Sequence, residues 1–212
     1  MSKINYPIEI VDDFLNKEDF NELCKLDLNK EFNKDFKVYH NKINDNGIIE
    51  STINKDLLKR IHKNHFNKAM NILKKLNPKK CDLYEHSDLT IVITDKKSKF
   101  PIHDDTPNKL LSGVIYLSPE KNIGTIFYSD QKGSNKTNLK WKKNRGVFFS
   151  RIERETWHSY EGDGLSDRIV LVYNLMTNKI KDVYKTEKKS YLLGNLRYKI
   201  NPYLFQIFKK TF

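Results

Sequence analysis

The sequence predicts a mainly β protein with flanking helices, an antiparallel sandwich or jelly roll, and three observations carry that reading. From residue 89 onward, β-branched and aromatic residues come in short runs separated by turn residues. Before residue 81 or so the pattern is helical instead, with apolar residues at steps of three and four. No internal repeat and no Gly/Ser- or Pro-rich linker interrupts the 212 residues, a length that suits one domain with an added layer. The expected organisation is a single domain over 1–212. It has a helical part to about 81, a jelly-roll core over about 89–176 and a basic, aromatic extension over 179–212.

Ile8, Ile10 and Val11 suggest a first short strand, and Asn16 is placed to cap a helix over 17–26. The clearest helix carries Leu58, Ile61, His65, Ala69, Ile72 and Leu76 on one face and ends at Asn77-Pro78. Strands are expected over 89–95, 100–103, 109–118, 124–130, 145–152, 155–160 and 167–175. A last helix is expected near 202–210.

Thirty-nine Lys and Arg against 27 Asp and Glu give a formal net charge of +12. Such a balance suggests a nucleic-acid partner. The excess is lysine, however, with only six arginines, and arginine is the better reader of phosphates and bases. Nucleic acid is therefore a partner the sequence allows without favouring. No apolar run approaches the roughly 18 residues of a membrane helix, and the first ten residues lack a signal-peptide core. Cys24 and Cys81 cannot build a disulfide framework and read as buried hydrophobes. The expectation is a cytoplasmic protein with no membrane partner.

A mononuclear non-haem iron site needs two histidines and one carboxylate on one face of the metal. On a strand, residues i and i+2 point the same way, so His-x-Asp supplies two ligands from one segment. His103-Asp104-Asp105 has this form, with Asp104 expected to point away, and His158 follows in another strand-like segment. A second His-x-Asp, His86-Ser87-Asp88, precedes the sheet region and reads as carrying an exposed loop histidine. Arg168 opens a strand whose remaining residues look buried on both faces. A buried guanidinium there needs an anion, and its fork matches a carboxylate.

These segments resemble the Fe(II)/2-oxoglutarate-dependent oxygenases. Residues 10–23 are similar to their N-terminal strand and helix, 101–119 to their His-x-Asp strand with its Tyr-Leu-Ser end, and 144–175 to their final strands. The similarity is closest to the prolyl-hydroxylase-like branch. It implies a double-stranded β-helix, a cupin-like jelly roll, with N-terminal helices packed on one sheet. It further implies Fe(II) on His103, Asp105 and His158, and Arg168 on the distal carboxylate of 2-oxoglutarate. The reaction implied is hydroxylation with oxygen as co-substrate, release of succinate and carbon dioxide, and room for ascorbate. A peptidyl residue such as proline, or a small metabolite, would be the substrate. The alternative from another class is a non-catalytic jelly-roll module for nucleic acid or an anionic glycan.

Several positions qualify the resemblance. Arg168 stands where collagen-type prolyl hydroxylases use Lys, and Asn174 stands where AlkB-type demethylases carry a second Arg. Asp105 stands where halogenases of this fold have a small residue. By the same alignment Ile115 takes the inward slot and Tyr116 the outward one. Trp157 reads as packing, and Trp141 as either packing or an exposed substrate contact. Lysines at 96–99 and in 132–145 read as solvated surface or, if they border the active-site mouth, as a sign of an anionic substrate.

Overall fold

The computed structural model describes residues 4–28 and 36–208, without the side chains of residues 202 and 204–208. Twelve strands and four helices follow one another in the described residues. The N-terminal part comprises β1 (Glu9–Val11), α1 (Lys17–Cys24), β2 (Phe36–Tyr39), β3 (Lys42–Asn44), β4 (Gly47–Glu50) and α2 (Lys55–Leu76). After a 3-10 turn come β5 (His86–Thr94), β6 (Lys99–His103), β7 (Lys109–Ser118), β8 (Ile123–Phe127), β9 (Thr137–Lys140), β10 (Gly146–Phe149), β11 (His158–Glu161) and β12 (Arg168–Met176). Helices α3 (Ile180–Thr186) and α4 (Tyr191–Phe208) close the described chain.

All the strand pairs are antiparallel. A large sheet runs β1-β10-β7-β12-β5-β3-β4, with β2 also on β5, and a smaller one runs β6-β11-β8-β9. Because strand side chains alternate, the central strands of the large sheet serve two cores at once. Leu171, Tyr173 and Leu175 of β12 and Ile115 and Leu117 of β7 join the helical core with Leu58, Ile61 and Leu73 of α2. Val170 of β12, Tyr116 of β7 and Val147 and Phe149 of β10 face the smaller sheet instead. This two-sided burial is why β12 reads as a near-continuous apolar run.

Helix α1 begins at the expected Asn16 cap, and α2 begins at a second asparagine cap, Asn54. Asn16 Oδ1 accepts the Asp19 backbone N–H at 2.8 Å, and Asn54 Oδ1 accepts those of Asp56 and Leu57 at 2.8 and 3.1 Å. Each such cap contributes about 1 kcal/mol. The buried face of α2 includes Leu58, Ile61, His65, Ala69 and Ile72, the predicted stripe, and Asn77-Pro78 ends it. His65 is tied to the buried carboxylate of Asp19 at 2.8 Å, so this histidine serves the α1–α2 contact.

The structure departs from the expectations in several places and decides the open reading of Trp141. The N-terminal part contains β2, β3 and β4 as well as helices, and β9 crosses the basic segment expected as a loop. His86 heads β5, half-buried opposite Met176, because β12 extends the ladder three residues beyond the apolar run that marked the strand. Tyr116, not Ile115, faces the space between the sheets. Trp141 is buried: it stacks on Tyr116 with centroids 4.3 Å apart and donates its indole N–H to the Pro119 carbonyl. Trp157 is packing, as expected. The last helix starts at Tyr191, well before the expected 202. No described helix is long and apolar enough to cross a membrane.

Candidate metal centre

Strands β6 and β11 are antiparallel neighbours in the smaller sheet, and their register sets His103 directly opposite His158. The imidazole centroids are 4.2 Å apart. Asp105 lies two residues beyond His103, just past the end of β6, and its Oδ2 is 3.8 Å from His158 Nε2. One ligand atom from each of His103, Asp105 and His158 falls within 4.8 Å of the others, the one such group of three among the described residues. The three expected residues are thus brought together, and Asp104 turns away to accept the Arg154 backbone N–H and Arg197.

The surroundings prepare these side chains as ligands. His103 Nδ1 is 3.0 Å from the Pro101 carbonyl and His158 Nδ1 is 3.0 Å from the Thr156 carbonyl. A carbonyl only accepts, so each Nδ1 carries the proton and each Nε2 keeps its lone pair. Burial, reinforced by His158, pushes the His103 pKa down to about 3, which keeps the ring neutral. Burial alone would raise the Asp105 pKa, but the charge of Lys109 and the nearby imidazoles outweigh it and hold this carboxyl well below the usual range. Lys109 Nζ donates to Asp105 Oδ1 at 2.6 Å and Ser112 Oγ to Oδ2 at 2.5 Å. Two imidazoles, each with its Nδ1 facing a carbonyl, and a fixed carboxylate are the donor set a divalent iron takes.

Arg168 lines the same cavity, a space of about 230 Å³ between the two sheets. It is only 3% exposed and has no carboxylate partner among the described residues. Its Nε is a buried donor without a hydrogen bond. Three rings box the guanidinium: Tyr160 at 4.7 Å, Trp141 at 5.7 Å and Tyr116 at 5.8 Å. Directly across the ladder stands Thr94, whose hydroxyl is also buried without a partner and also lines the cavity. Ring contacts offset part of the cost of burying a cation, but a desolvated guanidinium calls for an anion, and the cavity is where one would sit.

Thr94, Lys109, Ser112 and Tyr160 were not singled out from the sequence. Lys109 lay four residues after Asp105 and Ser112 on the inward-facing register of β7, which is visible only once the pairing is known. The basic segments take another place. Lys99 and Lys136 face Glu161, while Lys142 and Arg145 pair with Asp12, and neither segment lines the cavities beside His103, Asp105 and His158.

No family model and no curated protein sequence matches the chain. Solved structures do. A prolyl-4-hydroxylase from Pseudomonas putida superposes with a TM-score of 0.54 at 12% identity, over 82% of this chain and 94% of that one. IDO from Bacillus thuringiensis gives 0.59 at 14% identity, over 81% and 90%. A prolyl hydroxylase from Trichoplax adhaerens, solved with a peptide fragment of the hypoxia inducible factor oxygen degradation domain, gives 0.55 at 12%, over 84% and 87%. At these identities the likeness is one of fold. The chain has the double-stranded β-helix of the 2-oxoglutarate- and Fe(II)-dependent oxygenases, in the form found in their prolyl-hydroxylase-like branch.

Proposed function

We propose that the chain is a single-domain Fe(II)- and 2-oxoglutarate-dependent dioxygenase that hydroxylates its substrate. The observation that carries this reading is the pairing of two unmet needs in one cavity. His103, Asp105 and His158 bring two imidazoles and one carboxylate within reach of a single ion, and Arg168 is a buried cation without a counter-ion beside it. A dicarboxylate that reaches from the metal to the guanidinium would answer both. A non-catalytic sugar or nucleic-acid module would give no reason to bury Arg168 there.

His103 and His158, through Nε2, and Asp105 would hold Fe(II), while Arg168, with Thr94 opposite it, would hold the distal carboxylate of 2-oxoglutarate. The bound iron supplies oxygen chemistry in which one oxygen atom enters the substrate, the other enters succinate, and carbon dioxide leaves. The protein's own part is positional. The Pro101 and Thr156 carbonyls fix both rings, and Ser112 and Lys109 fix the carboxylate. The Tyr116 hydroxyl is committed to Thr125, donating to Oγ1 at 3.0 Å and accepting the backbone N–H at 2.8 Å, so the ring serves as a wall beside Arg168. The aromatic wall keeps water away from the guanidinium and so strengthens its hold on a carboxylate. A peptidyl residue such as proline is supported by the peptide seen with the Trichoplax neighbour, and a small metabolite by the size of the cavities.

Anaerobic addition of Fe(II) and 2-oxoglutarate tests the reading. A weak visible charge-transfer band should appear in the wild-type protein and be absent from His103→Ala. A well-folded wild-type protein that gives no band would refute it.

A further inference from the structure

A second cavity, of about 300 Å³, lies on the other side of the metal ligands, between them and α4. Only four residues line both it and the Arg168 cavity: His103, Asp105, Phe100 and Lys109. Two of these are the expected ligands and one is a ring, so Lys109 is the one cation placed at the junction. Its side chain keeps 23% of its exposure.

The charges around the second cavity divide into two groups. Lys80, Arg151 and Arg197 are matched by Glu187, Glu153 and Asp104, three cations against three anions. Lys80 and Arg151 meet Glu187 at 2.7 and 2.8 Å, and Arg197 meets Asp104 and Glu153 at 2.6 and 2.8 Å. That network is complete in itself. Lys109 stands outside it, and its one ionic partner among the described residues is Asp105.

Asp105 is spoken for once the site is loaded. With a divalent metal, the Asp105 carboxylate, the 2-oxoglutarate dianion and the Arg168 guanidinium in place, the charges of that group cancel. The Lys109 ammonium is then one positive charge in excess, at the inner end of the α4-side cavity. We infer that Lys109 binds a carboxylate of the primary substrate, which enters from the α4 side, so that the substrate is an acid. The carboxylate could belong to a free amino acid or small acid, or to an acidic side chain of a peptide. One ammonium with no free guanidinium fork beside it suits a single carboxylate. The inference rests on the oxygenase reading and adds the substrate's charge and the residue that recognises it.

Binding can be read without turnover. The protein is loaded with Mn(II) and 2-oxoglutarate, which fills the Arg168 side, and fluorine relaxation is followed for trifluoroacetate and for trifluoroacetamide, its uncharged counterpart. Trifluoroacetate should show strong paramagnetic enhancement and the amide little. Lys109→Gln should weaken trifluoroacetate binding about tenfold or more, the scale of one charge-assisted hydrogen bond, while Lys109→Arg retains it. Because Lys109 also holds the Asp105 carboxylate, calorimetry first fixes the Mn(II) and 2-oxoglutarate concentrations that saturate each variant, and trifluoroacetate binding is compared only between fully loaded proteins. Equal enhancement of acid and amide, or unchanged acid binding in Lys109→Gln, overturns the inference and leaves the oxygenase reading standing. Failure of the wild-type protein to bind Mn(II) sinks both. The source of the carboxylate is read from 2-oxoglutarate turnover with free amino acids against their amides, and with Asp- or Glu-containing peptides against their Asn or Gln forms. Stimulation by the acids over the amides supports the inference, and equal stimulation by the amides overturns it.

Discussion

Arg151 and Arg168 are both buried arginines at the edge of the same centre, and the protein treats them in opposite ways. Arg151 sits in a closed ionic cluster. It donates Nε–H to the Asp105 carbonyl at 3.0 Å, one terminal nitrogen to Glu187 at 2.8 Å and the other to Glu153. Behind it Lys80 bonds the Arg151 carbonyl. Arg168 has three aromatic rings, an unpartnered Nε and no anion. Desolvating a guanidinium is costly in either place. Where the chain supplies the counter-ions, the arginine is part of the structure and holds the Asp105 backbone. Where the chain withholds them, the proposed 2-oxoglutarate carboxylate would be the counter-ion. The neighbouring His103 shows a third solution, a basic group that avoids the cost by remaining neutral.

The comparison breaks most visibly if Arg151 is removed. Arg151→Met leaves Glu187 and Glu153 short of a cation in a buried site, and should lower stability by about 3–5 kcal/mol in chemical denaturation. A loss below about 1 kcal/mol would mean that the cluster is solvated and that the contrast with Arg168 is false. Arg168→Met removes a charge that has no partner to strand. It should leave the ligand-free stability unchanged or slightly higher, while 2-oxoglutarate affinity falls about 100-fold, about 3 kcal/mol for a charged, desolvated carboxylate contact. Mn(II) affinity, measured in the same calorimetric series, should stay within a few-fold. Equal loss of metal and 2-oxoglutarate would make Arg168 structural.

His103 gives the next largest effect, read from pH. Its folded pKa is pushed down to about 3, against an ordinary value near 6.5 in the unfolded chain. Between these values the unfolded state binds the proton and the folded state does not, so stability falls as pH falls from about 6.5 towards 3. From pH 7 to 5 the metal-free protein should lose about 2 kcal/mol through this residue. His103→Gln should flatten that part of the profile, and the slope it leaves belongs to His62, His65 and His86, whose pKa values burial also lowers. An unchanged slope in His103→Gln would show that the ring is not held neutral by burial.

The contrast between the two arginines also explains what the sequence could reveal. His103, Asp105 and Arg168 were legible because each broke a local pattern: a polar pair at a strand end, and a cation heading an apolar strand. The α2 stripe and most core strands were legible because their periodicity is strong. Arg151 was invisible as a site neighbour, since its partners Glu187, Asp104 and Lys80 are scattered along the chain and meet only through the fold. The inward orientation of Tyr116 depends on strand register, which a one-residue slip inverts, so the sequence pattern alone points to the opposite face. Strands β2 to β4 and β9 are only three or four residues long and lie at sheet margins, where pairing to a neighbour makes the strand more than propensity does.

The smallest effect separates the cation from its box. Tyr160 is the ring nearest the Arg168 guanidinium, 4.7 Å from its centre, and it also stacks on Phe100 with centroids 5.6 Å apart. If the rings offset part of the cost of holding Arg168 without an anion, removing one should matter more to the ligand-free protein than to the 2-oxoglutarate complex, where a carboxylate takes over. Tyr160→Leu should therefore destabilise the free protein by about 1 kcal/mol beyond the loss seen for the same change in an Arg168→Met background. The coupling should shrink when 2-oxoglutarate is present at saturation. A double-mutant cycle by thermal denaturation, with and without 2-oxoglutarate, measures both numbers. A coupling that does not change with ligand would show that the ring merely packs, and that Arg168 is held in place by shape and not by the wait for a counter-ion.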